Sequence, residues 1–169
     1  MKNQTIGLYA GSFDPITKGH LDIVEKALAT FDVVHIAVGI NPSKSGMFST
    51  EDRLRLISES VNEKWPNINL NERVKVGSWS GKSVTKYAAE LGCTHLIRGL
   101  RQSSDFDDEF RYHGVCERIG DLTMDHFICK ERFLHVSSST ARELAALNED
   151  TSWLVMPCVE KALCQRLAS

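Results

Sequence analysis

The stretch from Ile6 to Leu28, IGLYAGSFDPITKGHLDIVEKAL, limits what this chain can fold into more than any other. Its opening apolar residues, Ile6, Leu8 and Ala10, read as a short strand. A loop holding Gly11, Pro15 and Gly19 follows. Then comes a helix whose apolar residues Leu21, Val24, Ala27 and Leu28 recur at the spacing of one buried face. Thr17 is placed to cap that helix, which sets Gly19 and His20 in its first turn. A glycine-bearing loop that feeds a helix N-terminus offers N–H groups and the positive end of the helix dipole, so it suits phosphate. Gly11 has no Cβ to keep a ligand from its backbone. His20 is expected to aim its ring nitrogens at the same anion. The plainer alternative is a tight turn whose histidine only caps.

A chain of 169 residues suffices for one domain, 1–169, with a sizeable core. Its net charge of −2 argues against a surface that coats nucleic acid. No apolar run approaches the roughly 18 residues of a membrane span, and the first residues lack the apolar core of a signal peptide. A cytoplasmic protein is the expectation. The five cysteines are odd in number and form no C-x-x-C pair, which points away from a disulfide framework or a zinc site. His126 and Cys129 lie on a predicted strand and read as surface and core residues, not ligands.

Strands alternate with helices along the whole chain, the pattern of a parallel sheet with crossover helices. Residues 32–38 form a second strand, with His35 as a core or edge histidine. The loop Asn41-Pro42-Ser43-Lys44 then falls at the strand's carboxyl end, the edge where open α/β sheets bind ligands. Lys44 there is either a phosphate holder or one more solvated lysine. Ser49 to Asp52 caps a helix striped by Leu54, Ile57 and Val61. Residues 64–73 read as a polar connection, 74–77 as a third strand, and 83–91 as a helix with Val84, Tyr87, Ala88 and Leu91 on one side. A fourth strand, 94–97, ends in Arg98-Gly99-Leu100-Arg101, two arginines suited to gripping phosphates. The acids Asp105, Asp107, Asp108 and Glu109 open another helix as a solvated first turn, with a Mg²⁺ contact as the minority reading. A fifth strand covers 125–129. Ser137, Ser138, Ser139 and Thr140 then precede a helix from Ala141 to Leu147, where hydroxyls cap, donate to phosphate, or both. Pro157 starts the last helix, striped by Val159, Leu163 and Leu167.

Taken together, these segments resemble the bacterial phosphopantetheine adenylyltransferases, a family of the nucleotidyltransferase superfamily. The resemblance runs nearly end to end. It rests on GSFDPITKGH (11–20), with its T-x-G-H motif, on NPSK and MF (41–48), on IRGLR and DF (97–106), and on VSSSTAR (136–142). It implies a Rossmann-like α/β fold with a five-stranded parallel sheet, crossover helices on both faces, and a hexamer. It also implies transfer of AMP from ATP to 4′-phosphopantetheine, with Mg²⁺, giving dephospho-coenzyme A and pyrophosphate. Carried over by residue, the resemblance makes His20, Lys44 and Arg98 catalytic. Gly11, Ser12, Phe13, Gly99, Arg101, Glu109, Ser137, Ser138, Ser139 and Arg142 serve ATP with His20. Ser12, Lys44, Val84 and Arg98 serve the acceptor. No side chain is implied as a metal ligand.

The chemistry this implies needs no protein nucleophile. A phosphate monoester has its second pKa near 6 and is largely a dianion at neutral pH, so alignment and charge neutralisation remain. The chain departs from the family at 79–84, Trp-Ser-Gly-Lys-Ser-Val, where Lys82 and Ser83 replace an acid and a large apolar residue. Asp108 stands for a common tyrosine, and Cys116 for a common asparagine. These departures fall on the acceptor or adenine-adjacent side, and a reversed local charge at Lys82 is expected to alter substrate choice. Two alternatives stay open: another phosphate acceptor such as nicotinamide mononucleotide, and a non-catalytic nucleotide-binding protein.

Overall fold

In a computed structural model of the chain, residues 4–41, 43, 45–67, 70–101, 103–120 and 122–168 are described. The elements are β1 (Ile6–Gly11), α1 (Lys18–Thr30), β2 (Val33–Gly39), α2 (Thr50–Lys64), α3 (Leu70–Arg73), β3 (Val74–Trp79), α4 (Val84–Glu90), β4 (His95–Leu100), α5 (Ser103–Ile119), β5 (Thr123–Ile128), α6 (Ser138–Ala146) and α7 (Pro157–Leu167). Every strand pairing is parallel, in the order β3-β2-β1-β4-β5. The chain thus winds outward from β1 in both directions. The order reverses between β1 and β4, and such a switch point opens a crevice at the carboxyl edge.

Alternation along β1 explains why helices must cover both faces. Tyr9 packs with Val34, Ile36 and Ile97 against α1, α2, α6 and α7, through Leu21, Val24, Leu56, Ile57, Ala141 and Leu163. Leu8 and Ala10 point the other way, with Ala37 and Leu96, onto Val84 and Ala88 of α4 and Cys116 of α5. The Rossmann-like architecture expected from the sequence is present. Among the described residues, no helix is long and apolar enough to cross a membrane.

Several boundaries differ from the sequence expectation. β4 runs on through Leu100, because Arg98 and Gly99 keep their ladder to His126 and Phe127 of β5. The polar connection at 64–73 contains the short α3. The buried residues of α2 are Leu56, Ile57, Ser60 and Val61, while Leu54 is only partly covered. The hydroxyl run opens α6 at Ser138, three residues earlier than expected, because Ser137 already supplies the cap: its hydroxyl accepts the Thr140 N–H at 3.0 Å.

Asp22 sets a charge inside the core. The Asp22 side chain on α1 is fully buried. It accepts the Lys130 N–H at 2.9 Å and sits 3.3 Å from Lys26 and 3.2 Å from the Lys130 ammonium, tying α1 to the segment after β5. Burial pushes its carboxyl up, but the Lys130 hydrogen bonds and Lys26 outweigh this and hold it below the usual range. A depressed folded pKa stabilises above the unfolded value, about 4, and that contribution is lost as pH falls through the folded value. Asp22→Asn is expected to cost about 1–2 kcal/mol at pH 7, because the buried carboxylate loses its charge-assisted bonds to the Lys130 N–H and to the partly exposed Lys26 and Lys130 ammonium groups. The gap from wild type should narrow below about pH 4. Thermal melts of both proteins from pH 7 to pH 3 check it; a gap that stays constant with pH would refute the assignment.

Candidate active site

The crevice at the switch point is a cleft of about 390 Å³. It is lined by β1 and its following loop (Tyr9 to Phe13), the start of α1 (Thr17, Gly19, His20, Ile23), Arg98, Gly99 and Arg101, Glu109 of α5, Cys129, and the start of α6 (Val136 to Ser139). Of the residues singled out from sequence, Gly11, Ser12, Phe13, His20, Arg98, Gly99, Arg101, Glu109 and Ser137 to Ser139 meet here.

Thr17 caps α1 as expected. Its hydroxyl accepts the His20 N–H at 3.4 Å, and its own N–H donates to His20 Nδ1 at 3.0 Å, a reciprocal box in which the histidine plays the part usual for glutamate. This corrects one expectation. A backbone N–H can only donate, so Nδ1 is an acceptor, and the proton of the neutral ring sits on Nε2. His20 therefore offers the cleft a single N–H. Its ring meets the Phe13 ring edge-on at 5.0 Å, and Phe13 meets Tyr9 in the same way at 5.2 Å. Burial, with help from the positive Arg101, pushes the His20 pKa down to about 4. The ring is neutral at physiological pH. Burial also pushes the Tyr9 phenol well above its ordinary range, so Tyr9 serves as an uncharged wall.

The loop between β1 and α1 holds Phe13 at φ 44°, and its Asp14–Pro15 peptide bond is cis. A Cβ on Gly11 would come within 3.0 Å of the Phe13 ring, so glycine is needed for the ring to fold back over its own strand. Asp14, buried, accepts the N–H groups of Met47 and Phe48 at 2.8 and 2.9 Å, with Arg53 at 3.4 Å. Arg53 also donates to the carbonyls of Phe48 and Ser12, at 2.9 and 3.4 Å. Neither Asp14 nor Arg53 was assigned a role from sequence. Asp14 lies inside a quoted motif, but its partners are backbone groups more than thirty positions away. Arg53 carries no local signal at all.

The serine run divides its work. Ser137 caps α6, and Ser138 donates to the Pro15 carbonyl at 2.7 Å. Those two hydroxyls are occupied by the fold, so what the α6 start offers an anion is its backbone N–H groups and the exposed Ser139. Arg142 does not line the cleft; it donates to the Asp14 carbonyl and braces the loop from below.

Arg98 and Glu109 were expected to serve different substrates. They bond one another instead, through Nε to Oε2 at 2.7 Å and through Nη2 to Oε1. Val84 is buried on α4 under the second face and does not line the cleft. Lys44 and the Asp108 side chain lie outside the described residues. Cys116 is buried beneath Tyr112. Lys82 holds both carboxylate oxygens of Glu90 at 2.8 Å, in an exposed pair. Among the described residues, no group of three or more His, Cys, Asp or Glu side chains could hold a metal ion.

The cytidylyltransferase-like family matches residues 8–144. A phosphopantetheine adenylyltransferase of Roseiflexus sp. (strain RS-1) is 40% identical over 160 residues, covering 94% of this chain and 95% of that protein. Among solved structures, the Plasmodium falciparum nicotinic acid mononucleotide adenylyltransferase, complexed with NaAD, superposes with a TM-score of 0.68 at 15% identity, over 96% of this chain and 95% of that one. A bifunctional NMN adenylyltransferase/ADP ribose pyrophosphatase from Francisella tularensis, complexed with AMP and a manganese ion, gives 0.69 at 14% identity, over 98% of this chain and 50% of that one. At such identities the two structures speak for the fold alone. The near full-length match at 40% identity speaks for more: the chain belongs to the phosphopantetheine adenylyltransferase family of cytidylyltransferase-like nucleotidyltransferases.

Proposed function

We propose that this protein, acting as a single nucleotidyltransferase domain of the cytoplasm, transfers AMP from ATP to 4′-phosphopantetheine and releases pyrophosphate. The observation that carries the reading is the convergence of His20, Arg98, Arg101 and the α6 start on one cleft at the switch point of the sheet.

The acceptor's phosphate oxygen attacks the α-phosphorus, a P–O bond forms, and the bond to the β-phosphate oxygen breaks. The electron pair leaves with pyrophosphate. Nothing has to remove a proton, since the acceptor is a dianion near neutral pH. The protein's part is to hold two anions in line and to meet charge with fixed donors. His20 Nε2–H is one such donor, held by the Thr17 box and by the Phe13 edge. Arg101 and the N–H groups that open α6 receive the nucleotide, while Arg98 faces α5 and receives the acceptor with Lys44. Among the described residues that line the cleft, Glu109 is the one carboxylate, and it is engaged by Arg98. Mg²⁺ would come with ATP as part of the substrate and would offset charge on its phosphates.

α5 leaves Tyr112, Val115 and Ile119 exposed at 38, 53 and 51%. These residues lie at i, i+3 and i+7, one apolar stripe on the helix. We assign this stripe to contact with further copies of the chain, in keeping with the hexamer that the family resemblance implies. Val115→Asp should lower the mass measured by light scattering during size exclusion, with the melting temperature of the subunit little changed. A wild type that already elutes as a monomer overturns the assignment.

Pyrophosphate release from MgATP with 4′-phosphopantetheine, beside nicotinamide mononucleotide and an acceptor-free control, tests the reaction. Turnover with phosphopantetheine is the expected result, and turnover only with another acceptor corrects the substrate. His20→Ala should lower kcat about 10²- to 10³-fold, the usual loss of one oriented donor to developing charge, with ATP affinity changed far less. A neutral His20 also predicts the pH profile. Because its pKa lies near 4, the fall in kcat/KM below about pH 6 should follow the acceptor's second ionisation and persist in His20→Asn. An acid limb that vanishes in that variant would mean the imidazole titrates in the working range.

A further inference from the structure

Tyr9 stands on β1, the central strand of the sheet. Successive strand residues point to opposite faces. Leu8 and Ala10 go to the face of α4 and α5, and Tyr9 goes to the face of α1 and α6. The residue is only 6% exposed, yet it lines the cleft. Packing fixes its ring: Phe13 meets it edge-on at 5.2 Å, and the His20 ring lies tilted at 6.3 Å. A Cβ on Gly99 would come within 3.6 Å of the phenol oxygen, so the hydroxyl reaches the last turn of the pleat on β4.

Among the described residues, none donates to that hydroxyl or accepts from it. Nor is the oxygen sealed in the core, since the fully buried side-chain atoms without a partner belong, among the described residues, to Asp22 and Asp125. The hydroxyl therefore opens onto the cleft. A polar group in such a place is costly to leave unbonded, and its absence from the protein's own hydrogen bonds asks for an explanation.

The surrounding charge says what kind of group should meet it. Arg98 and Arg101 both act on the phenol through their positive fields, but burial outweighs them and keeps the proton in place. A protonated phenol beside two guanidinium groups is a donor best matched by an anionic oxygen. The strand decides between the two anions of the reaction. Tyr9 shares its face with Val136, whose carbonyl takes Arg101 at 3.4 Å at the start of α6. Arg98, on the next strand, turns to α5 and Glu109 instead.

We propose that the Tyr9 hydroxyl is a further nucleotide-binding group, donating a hydrogen bond to a phosphate oxygen of ATP from the floor of the cleft. This rests on the adenylyl-transfer reading above. Tyr9 carries none of the roles that the family resemblance implies. Its hydroxyl adds a donor to the cleft without adding charge. Because Phe13 and the Gly99 backbone already hold the ring, the bond costs little further ordering when the nucleotide arrives.

Tyr9→Phe removes the hydroxyl and keeps the ring. The test is calorimetric binding of MgATP and of magnesium tripolyphosphate to the full chain, with melting temperatures and steady-state kinetics beside it. The variant should bind both ligands about tenfold more weakly, in line with the loss of a hydrogen bond to a charged group. The KM for 4′-phosphopantetheine should stay within about twofold. Without ligand, the variant should melt no lower than wild type, because the hydroxyl it loses had no partner, while the rise given by MgATP should shrink. A hydroxyl with a purely structural part would give the reverse, a lower ligand-free melting temperature with both Kd values unchanged, and that result overturns the proposal. So does a loss confined to MgATP with tripolyphosphate unaffected, which would put the hydroxyl on the ribose or base. A raised acceptor KM with an unchanged Kd for MgATP overturns it too. If wild type binds neither MgATP nor tripolyphosphate, the nucleotide reading itself fails before the variant is compared, and the role of Tyr9 falls with it.

Discussion

The cleft depends on one buried carboxylate. Asp14 sits in the loop after β1, and its two oxygens take the N–H groups of Met47 and Phe48 from the segment before α2. Arg53 supplies the counter-charge from α2, and Arg142 of α6 donates to the Asp14 carbonyl. Three segments that are far apart in sequence thereby share one fixed point. A buried carboxylate tolerates this only because backbone donors and a guanidinium meet its charge. The space is tight: a Cβ on Gly46 would come within 2.8 Å of the Asp14 carboxylate and would collide with the Arg53 guanidinium. With Ser138 donating to the Pro15 carbonyl, the loop that carries His20 is held from both sides. That is how a loop with a left-handed Phe13 can present its backbone in a set direction.

Around that point the site is assembled from groups whose charge does not fluctuate. His20 is kept neutral by burial and by Arg101, Tyr9 is kept protonated by burial, and Arg98 is matched by Glu109. Fixed dipoles and fixed charges stabilise a developing charge without reorganising as it forms. The helix starts at α1 and α6 add partial positive charge that no proton can remove. A reaction between two polyanions needs this kind of environment more than it needs a proton acceptor.

Much of this was legible in the sequence, for a physical reason. Strand, glycine loop, cap and helix are local events, so the stretch from Ile6 to Leu28 announced its strand, turn and helix, and Thr17 declared its cap. The alternating strands and helices announced the layers. What could not be read was anything settled by partners distant in the chain. The Asp14 bonds, the Arg98–Glu109 pair and the Ser138 bond to Pro15 each join segments that only the fold brings together. The end of β4 was misjudged for the same reason. Arg98 and Gly99 look like loop residues, and only the ladder to β5 makes them strand.

The departures from the family pattern follow the same logic. Lys82 reads from the sequence as a reversed charge, and the fold gives it a partner in Glu90, eight residues on. Trp79, in the same departing stretch, stacks on Tyr87 at 5.4 Å and 14° and lies over Gly39, where a Cβ would come within 2.8 Å of its ring. Within this chain each of these residues has its partner, the lysine its glutamate and the large ring the glycine beneath it. None of them touches the Asp14 junction, the Thr17–His20 box or the Arg98 environment. The sheet sends Arg98 to the face of α4 and α5, where these departures also lie, and backs Gly99 onto Ile23 of α1 on the other.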